Sequence, residues 1–211
     1  ERDAEHMRWE ALVRPGGKLS VGEELLDGAG DVMLRIGERS LAGDTFFVHF
    51  VAASHDEVMR RIVEVGEIPL PPYITTALAD QNRYQTVFSH DQKSSAAPTA
   101  GLHFTPELLD RIRDAGVEIR EVELVVGLDT FQPISAENPL DHVIHTESYR
   151  VPAETFDACV RARERGGRVI AIGTTATRAL ESAATFGELQ GRTNLFITPG
   201  YEWKVVALML T

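Results

Sequence analysis

The stretch 168-RVIAIGTTATRALESAATFG-187 decides the fold class of this chain. The short run RVIAIG, residues 168–173, predicts a buried strand, and residues 174–187 predict a helix. Gly173 stands at the junction of the two. A strand that turns directly into a helix is a βα unit, and this unit indicates an α/β domain.

The turn in this unit is the first candidate binding site. Gly173, Thr174 and Thr175 lie where open α/β sheets bind ligands, beyond the ends of their strands. Their hydroxyls and backbone amides suit a ribose, carboxylate or phosphate group. The simpler alternative is helix capping by either threonine, with a surface ion pair between Arg178 and Glu181. Because the pattern is neither a dinucleotide-binding glycine motif nor a P-loop, both interpretations stay open.

Helices and strands alternate from Thr105 onward. Thr105 is a good N-cap, Pro106 suits the first helical position, and Gly116 is placed to end that helix. Three further elements complete the predicted pattern: a strand at residues 117–127, a helix at residues 153–165 and a strand at residues 193–200. Alternation with short links predicts a larger α/β domain with a mostly parallel sheet.

Residues 1–66 have a different pattern. Short alternating or apolar runs separated by Gly, Asp and Ser predict the strands of a small barrel-like unit. A short helix capped by Asp56 is predicted at its end. The proline-rich residues 68–74, IPLPPYI, favour an extended connector. The predicted domains are therefore a β-rich domain at residues 1–66 and an α/β domain at residues 67–211.

Composition limits the location and the partners of the protein. None of the apolar runs in the 211 residues reaches the roughly 18 that a membrane span requires, and no signal-peptide pattern opens the chain. The single cysteine, Cys159, cannot form an internal disulfide, so we expect a cytoplasmic protein. The net charge of −11 argues against indiscriminate binding to nucleic acid but allows a local basic face. The chain starts without methionine and stops after VVALMLT, so we expect missing sequence at both ends.

The segment SAAPTAGLHFT, residues 95–105, is the second candidate site. Small residues around Gly101 allow a ligand to approach the backbone, and the helix that follows offers free N–H groups. Histidine side chains in general can exchange a proton near neutral pH, so His103 suits the role of acid, base or hydrogen-bond donor. The alternative is a tight turn with a structural histidine.

Two further segments contain candidate functional side chains. In HVIHTESYR, His145, Glu147 and Tyr149 alternate and face one side of a predicted strand. A histidine and a carboxylate make a proton-transfer pair; metal ligation and a polar solvent face are the alternatives, although no third ligand is evident. In DQNRYQTVFS, Arg83 and Tyr84 suit a nucleobase or anion, unless they only anchor a loop. Four more side chains lie in glycine- or proline-bounded loops: Asp129, Phe131, Tyr201 and Lys204.

Together these segments resemble the S-adenosylmethionine:tRNA ribosyltransferase-isomerase family of queuosine biosynthesis. The matching segments begin with WEALVRP (residues 9–15), IPLPPYI (68–74), DQNRYQTVFS (80–89) and SAAPTAGLHFT (95–105). They continue with VGLDTFQPI (126–134), HTESYRVP (145–152), IAIGTTATRALE (170–181) and LFITPGYEWKVV (195–206). One such segment is a weak signal, but eight in the same order along the chain are highly specific.

The resemblance implies that S-adenosylmethionine is a ribosyl donor and co-substrate, with no metal and no other cofactor. The acceptor is the aminomethyl nitrogen of 7-aminomethyl-7-deazaguanine at the tRNA wobble position. A base removes the C5′ proton that the sulfonium acidifies, adenine leaves, and the amine attacks the opened sugar. Closure of the epoxide then expels methionine and yields epoxyqueuosine in tRNA. The resemblance implies tRNA as partner, and we expect a monomer.

The resemblance also assigns site residues. The candidates for proton transfer are His103 or the pair His145 and Glu147. The candidates for substrate binding lie in the matching segments: Arg83, Tyr84, Thr99, Gly101, Asp129, Phe131, Gly173, Thr174, Thr175, Arg178, Tyr201 and Lys204. In the family, the barrel is inserted into the main domain, whose preceding part is absent here.

Two departures from the family pattern leave the acceptor open. Asp129 stands where the family usually has glycine, and after KVV the family expects an aspartate and then TNFH-x-P, whereas this chain reads ALMLT. The alternatives are a paralogue with a different nucleoside or acceptor, and a non-catalytic tRNA-binding module. A methyltransferase is disfavoured because the glycine-rich first βα loop that grips S-adenosylmethionine is not found.

Overall fold

The computed structural model describes residues 7–13, 17–41, 45–71, 74–76, 78–90, 94, 96–127 and 146–211, and of Gln81 only the backbone. The chain divides into two compact units, Glu1–Glu67 and Ile68–Thr211. The boundary predicted from the sequence lies between residues 66 and 67. Among the described helices, none is both long enough and apolar enough to cross a membrane.

Within its described residues, the first unit contains one antiparallel sheet and one helix. Its elements are β1 (Arg8–Ala11), β2 (Glu24–Leu26), β3 (Val32–Arg39), β4 (Phe46–Phe50) and α1 (His55–Val65). The strands pair in the order β1-β4-β3-β2. Ile36, Phe46 and Val48 form its buried core. The strands are those of a β-rich unit, while closure of the sheet into a barrel stays a prediction.

The N-cap of helix α1 lies two residues earlier than the sequence pattern predicts. Ser54 has an extended backbone, and its hydroxyl accepts a hydrogen bond from the Glu57 N–H at 3.3 Å. Asp56 lies inside the first helical turn, so the prediction that it caps the helix is wrong. An N-cap needs non-helical backbone angles, and Ser54 supplies them.

The second unit mixes helices and strands, which confirms the α/β class in its broad form. Its first described helical elements are the 3₁₀-helices Gln81–Tyr84 and Thr99–His103. Its helices are α2 (Pro106–Asp114), α3 (Ala153–Glu164) and α4 (Gly173–Phe186). Its strands are β5 (Glu123–Val125), β6 (Glu147–Arg150), β7 (Ile170–Ile172), β8 (Gln190–Thr193) and β9 (Leu208–Leu210).

The prediction of a mostly parallel sheet is wrong for the described residues. Strands β5, β6 and β8 form an antiparallel sheet in the order β5-β6-β8, and only β7 and β9 pair in parallel. Helix–strand alternation gives a parallel sheet only where each helix returns the chain to the same sheet. Here α3 and α4 instead connect strands of different sheets. The strand predicted at residues 193–200 is also misplaced, because β8 ends at Thr193.

Helix α4 lies at the centre of the second unit. It contacts β5, β7, β8, β9 and the second 3₁₀-helix. Ala179 and Ala183 are almost completely buried, and their small side chains permit close packing against the strands. The core residues come from both sheets and from the helices: Leu124, Tyr149, Val151, Ala158, Val169, Ala171, Ala179, Leu180, Ala183, Val205 and Val206. Helix α4 is therefore placed against several of the segments that the sequence singles out.

Candidate functional site

Gly173 joins β7 to α4 in a conformation that favours glycine. Its φ is +90°, in the left-handed region, and a Cβ at this position would lie 3.4 Å from the Cβ of Ala100. The N-cap position is occupied by Ile172, without a side-chain hydrogen bond, so the alternative of capping by Thr174 or Thr175 is wrong. The βα turn thus meets the second 3₁₀-helix, which the sequence places far away.

The segment around His103 folds as the second 3₁₀-helix. Gly101 is buried there, and a Cβ on it would approach Cγ2 of Thr86 at 3.0 Å. Thr99 and His103 are exposed. Thr105 caps α2 as predicted, because its hydroxyl accepts from the Leu108 N–H at 3.2 Å. Close packing therefore explains Gly101, while the imidazole of His103 remains accessible to solvent.

The first 3₁₀-helix contacts the second. Asp80 caps it by accepting from the Asn82 N–H at 3.0 Å. The two candidate side chains here differ in exposure, since Arg83 is exposed and Tyr84 is 8% exposed. The ring of Tyr84 therefore packs in the interior, whereas the guanidinium of Arg83 is accessible to a ligand.

Arg178 and Glu147 form an ion pair across the second unit. Arg178 Nη1 donates to Glu147 Oε2, and Arg178 Nη2 donates to the Thr193 carbonyl at 3.1 Å. The two side chains are 19% and 12% exposed. Burial lowers the pKa of the Arg178 guanidinium, and the carboxylate of Glu147 opposes that shift. The pair links α4 to β6 and β8, which corrects the alternative of a surface ion pair between Arg178 and Glu181.

Glu181 is completely buried, and its carboxylate accepts four hydrogen bonds. Its Oε2 accepts from the Tyr201 hydroxyl at 3.0 Å and from the Lys204 N–H at 2.9 Å. Its Oε1 accepts from the backbone N–H groups of Val205 and Val206 at 2.9 and 2.8 Å. Burial is the main cause of a raised pKa of Tyr201, to which Glu181 adds. The carboxylate therefore fixes the segment that contains Tyr201 and Lys204 onto α4.

Several polar contacts that hold this site together were not predicted from the sequence. The Ser94 hydroxyl donates to the Leu124 carbonyl at 3.3 Å and accepts from the Val126 N–H at 3.1 Å. The hydroxyls of Ser182 and Thr193 lie 2.6 Å apart in the core. The sequence did indicate a structural role for Glu181, because a carboxylate in a helix of small and apolar residues needs hydrogen-bond donors when it is buried. No such indication existed for Ser94 and Ser182, because their hydrogen-bond partners are distant in sequence.

The structure brings some candidates together and leaves others apart. The turn at Gly173 meets the loop of Gly101, and Arg178 meets Glu147. Asp129, Phe131 and His145 lie outside the described residues. Within the described ranges, there is no cluster of three or more His, Cys, Asp or Glu residues arranged to hold a metal ion. The candidate site therefore comprises the first half of α4 and the segments packed against it.

The sequence of the chain matches a known protein family. Residues 1–211 match the profile of a family described as Queuosine biosynthesis protein. Two similar proteins are named S-adenosylmethionine:tRNA ribosyltransferase-isomerase. The one from Desulfitobacterium hafniense is 43% identical over 96% of this chain and 60% of its own length. The one from Pelotomaculum thermopropionicum is 45% identical over 100% of this chain and 62% of its own length.

A solved structure is similar as well. It is the crystal structure of S-adenosylmethionine tRNA ribosyltransferase from Thermotoga maritima, 30% identical over 99% of this chain and 56% of that chain, with a TM-score of 0.41. The chain thus spans about 60% of the length of the curated relatives it matches.

Proposed function

Because the chain belongs to the queuosine biosynthesis protein family, we propose that it takes part in the transfer and isomerisation of the ribosyl group of S-adenosylmethionine. The acceptor in this proposal is 7-aminomethyl-7-deazaguanine at the tRNA wobble position, and the products are epoxyqueuosine in tRNA, adenine and methionine. The observation that carries the proposal is the match along all 211 residues, with relatives 43–45% identical.

The geometry supports a donor site at the turn between β7 and α4. Gly173 and Gly101 add no side chains to this region, and the backbone N–H groups at the start of α4 suit a carboxylate or a hydroxyl. Thr174 is exposed and Thr175 half-buried at the same turn. In this proposal these groups hold the polar parts of S-adenosylmethionine. The remaining binding residues of the proposal are Arg83, Tyr84, Thr99, Asp129, Phe131, Arg178, Tyr201 and Lys204.

For proton transfer the proposal favours His103. Its exposed imidazole lies at the end of the 3₁₀-helix that packs against Gly173. The alternative base is the pair of His145 and Glu147. Since Arg178 occupies Oε2 of Glu147, that carboxylate would first have to exchange its partner. Arg178 itself we propose as a residue that positions Glu147 and contacts the donor.

Further parts of the proposal concern the whole protein. They comprise a closed barrel for the first unit, domains at residues 1–66 and 67–211, action as a monomer, and a cytoplasmic location, where tRNA is found. No metal and no cofactor beyond the co-substrate enter the proposed reaction. Accordingly, a chelator such as EDTA should leave the rate of adenine release unchanged, and a loss that added divalent metal restores would contradict this part.

The decisive experiment incubates the protein with S-adenosylmethionine and tRNA that carries 7-aminomethyl-7-deazaguanine. Mass analysis of the digested tRNA should show epoxyqueuosine, and chromatography should show one adenine per modified nucleoside. Adenine release without modified tRNA would instead identify a paralogue with another acceptor. Binding of tRNA with no adenine release would identify a non-catalytic module.

Substitution of His103 tests the assignment of the base. His103→Ala should slow adenine release by at least about 100-fold, because general acid–base groups contribute 10²–10⁴. His49→Ala, which removes an exposed histidine from the first unit, is the matched control and should retain the wild-type rate. If His103→Ala is fully active while Glu147→Gln is not, the base belongs to the second candidate pair.

A further inference from the structure

An aromatic pair, Tyr201 and Trp203, lies in the segment between β8 and β9. The two ring centroids are 5.3 Å apart, and the ring planes are nearly perpendicular, at 81°. Trp203 is nevertheless 49% exposed. Large aromatic side chains usually bury most of their surface, so a half-exposed indole beside a candidate substrate-binding tyrosine indicates a binding surface.

The indole is held by anchors on both sides. The hydroxyl of Tyr201 donates to the buried carboxylate of Glu181 at 3.0 Å, and the N–H of Lys204 donates to the same oxygen at 2.9 Å. The side chain of Tyr201 and the backbone of Lys204, which flank Trp203, are therefore both tied to α4. A side chain presented by fixed backbone loses less entropy on binding than one in a loose loop. The surface is thus pre-organised for a flat ligand.

The neighbouring charge indicates which flat ligand fits. Lys204 is exposed directly after Trp203. Proteins bind unpaired nucleic acid by stacking bases on aromatic side chains while cations contact the backbone phosphates. We propose that Trp203 stacks on an unpaired nucleobase of the acceptor tRNA and that Lys204 contacts an adjacent phosphate. The assignment rests on the proposed function, and it adds Trp203 to the residues that bind the acceptor.

The position along α4 favours the RNA over the donor as the ligand of Trp203. Glu181, which anchors the aromatic pair, lies eight residues after Gly173, or about 12 Å along the helix axis. A donor bound at the turn of Gly173 is a single small molecule. An RNA loop whose reacting base reaches that turn has further nucleotides that extend beyond it. Those neighbouring nucleotides are suited to occupy a second surface on the same helix.

A fluorescence titration tests the stacking directly. The chain has two tryptophans, Trp9 and Trp203, so the Trp9→Phe variant reports on Trp203 alone. An anticodon stem-loop RNA should quench this fluorescence, whereas a fully paired RNA of equal length and charge should not. Equal quenching by the paired RNA, or by S-adenosylmethionine alone, would overturn the proposal. A change in emission with protein concentration alone would also overturn it, since it would indicate contact between copies of the chain.

Measurements of the RNA affinity of variants are a second test of the stacking. Trp203→Ala should weaken binding of the stem-loop by about 5- to 100-fold, the usual effect of losing one stacked base, and Trp203→Phe should recover most of that loss. Phe186→Ala is the control, because Phe186 is similarly exposed, at 47%, but lies on α4, outside the segment of Trp203. Lys204→Gln should reduce the salt dependence of binding by about one phosphate contact. Unchanged affinity in Trp203→Ala means that the indole does not stack on the RNA.

Steady-state kinetics distinguish a failure of this stacking proposal from a failure of the proposed function. With modified tRNA, Trp203→Ala should raise the KM for tRNA more than it lowers kcat. If the wild-type protein forms epoxyqueuosine and Trp203→Ala has the same KM, the proposed function stands and the stacking fails. If the wild-type protein forms no product, the proposed function fails, and the quenching titration still decides whether Trp203 binds unpaired RNA.

Discussion

Among single residues, Glu181 has the most demanding environment in the described part of the chain. Its carboxylate has no solvent exposure, yet it accepts hydrogen bonds from one hydroxyl and three backbone N–H groups. A buried carboxylate is costly unless donors replace the lost water, and here four donors do so. The side chain acts as a substitute strand partner for the N–H groups just before β9.

Glu181→Gln is expected to destabilise the second unit by about 1–3 kcal/mol. The amide NH₂ of glutamine would face N–H donors, and a buried donor without an acceptor costs about 1–3 kcal/mol. Denaturant unfolding followed by circular dichroism measures the change. Glu202→Gln, an exposed substitution in the same segment, should stay within about 0.5 kcal/mol of wild type. Equal stability of the two variants would show that the carboxylate is not required.

Tyr201 is expected to make the unfolding free energy of the protein depend on pH in the alkaline range. Burial raises the pKa of its hydroxyl above the ordinary value of 10.0, and donation to Glu181 acts in the same direction. The folded protein therefore favours the neutral hydroxyl. Its contribution to stability is fully present below the unfolded pKa and is lost as the pH rises through the folded pKa. Unfolding free energies of wild type and Tyr201→Phe should thus differ most at neutral pH and converge above pH 10.0; a constant difference would contradict this assignment.

Among the elements, α4 organises the candidate site. It follows β7 without a linker, pairs with β6 through Arg178 and Glu147, and holds the segment before β9 through Glu181. One helix thus connects the antiparallel and the parallel sheet. A change at its first residue is therefore expected to act on ligand binding as well as on stability.

The first residue of α4, Gly173, and the residue that caps its C-terminus, Gly187, allow a matched test of that expectation. Gly173 (φ +90°) and Gly187 (φ +72°) both have left-handed backbone angles, so alanine at either position should cost roughly 1–2 kcal/mol. A Cβ at Gly173 would contact Ala100, whereas a Cβ at Gly187 would meet no atom within 4 Å. Gly173→Ala should therefore raise the KM for S-adenosylmethionine, and Gly187→Ala should leave it unchanged. An equal KM in both variants would remove the turn from the donor site.

At the level of elements, local patterns predicted the helices better than the strands. The helices begin and end near their predicted bounds because caps and breakers are local signals, as Thr105 shows. Ser54 was missed because Asp56 is an equally good cap by type, and only the backbone angles separate them. The bounds of β8 were predicted wrongly because the position of a short strand depends on the strands it pairs with. Tyr149 of β6, for example, lies opposite Leu124 and Gly191, which are distant in sequence.

For the whole molecule, the net charge of −11 limits how RNA is bound. Affinity for duplex nucleic acid depends mainly on neutralised phosphates, and a strongly acidic surface supplies few such contacts. We therefore expect that excess paired RNA does not displace the anticodon stem-loop from the protein. A competition titration at fixed salt measures this. Effective competition by paired RNA would show that a basic face, rather than unpaired bases, dominates binding.

The sequence by itself determined the α/β class, the helices and the family, because these depend on local periodicity, capping and the order of short motifs. Only the tertiary structure decided that the sheets are largely antiparallel, that Arg178 pairs with Glu147, and that Glu181 anchors Tyr201 and Lys204. Spacing along one helix made Arg178 and Glu181 look like partners. Each has a partner from a distant segment instead, because buried charges take whatever donors or acceptors the packed strands bring to them.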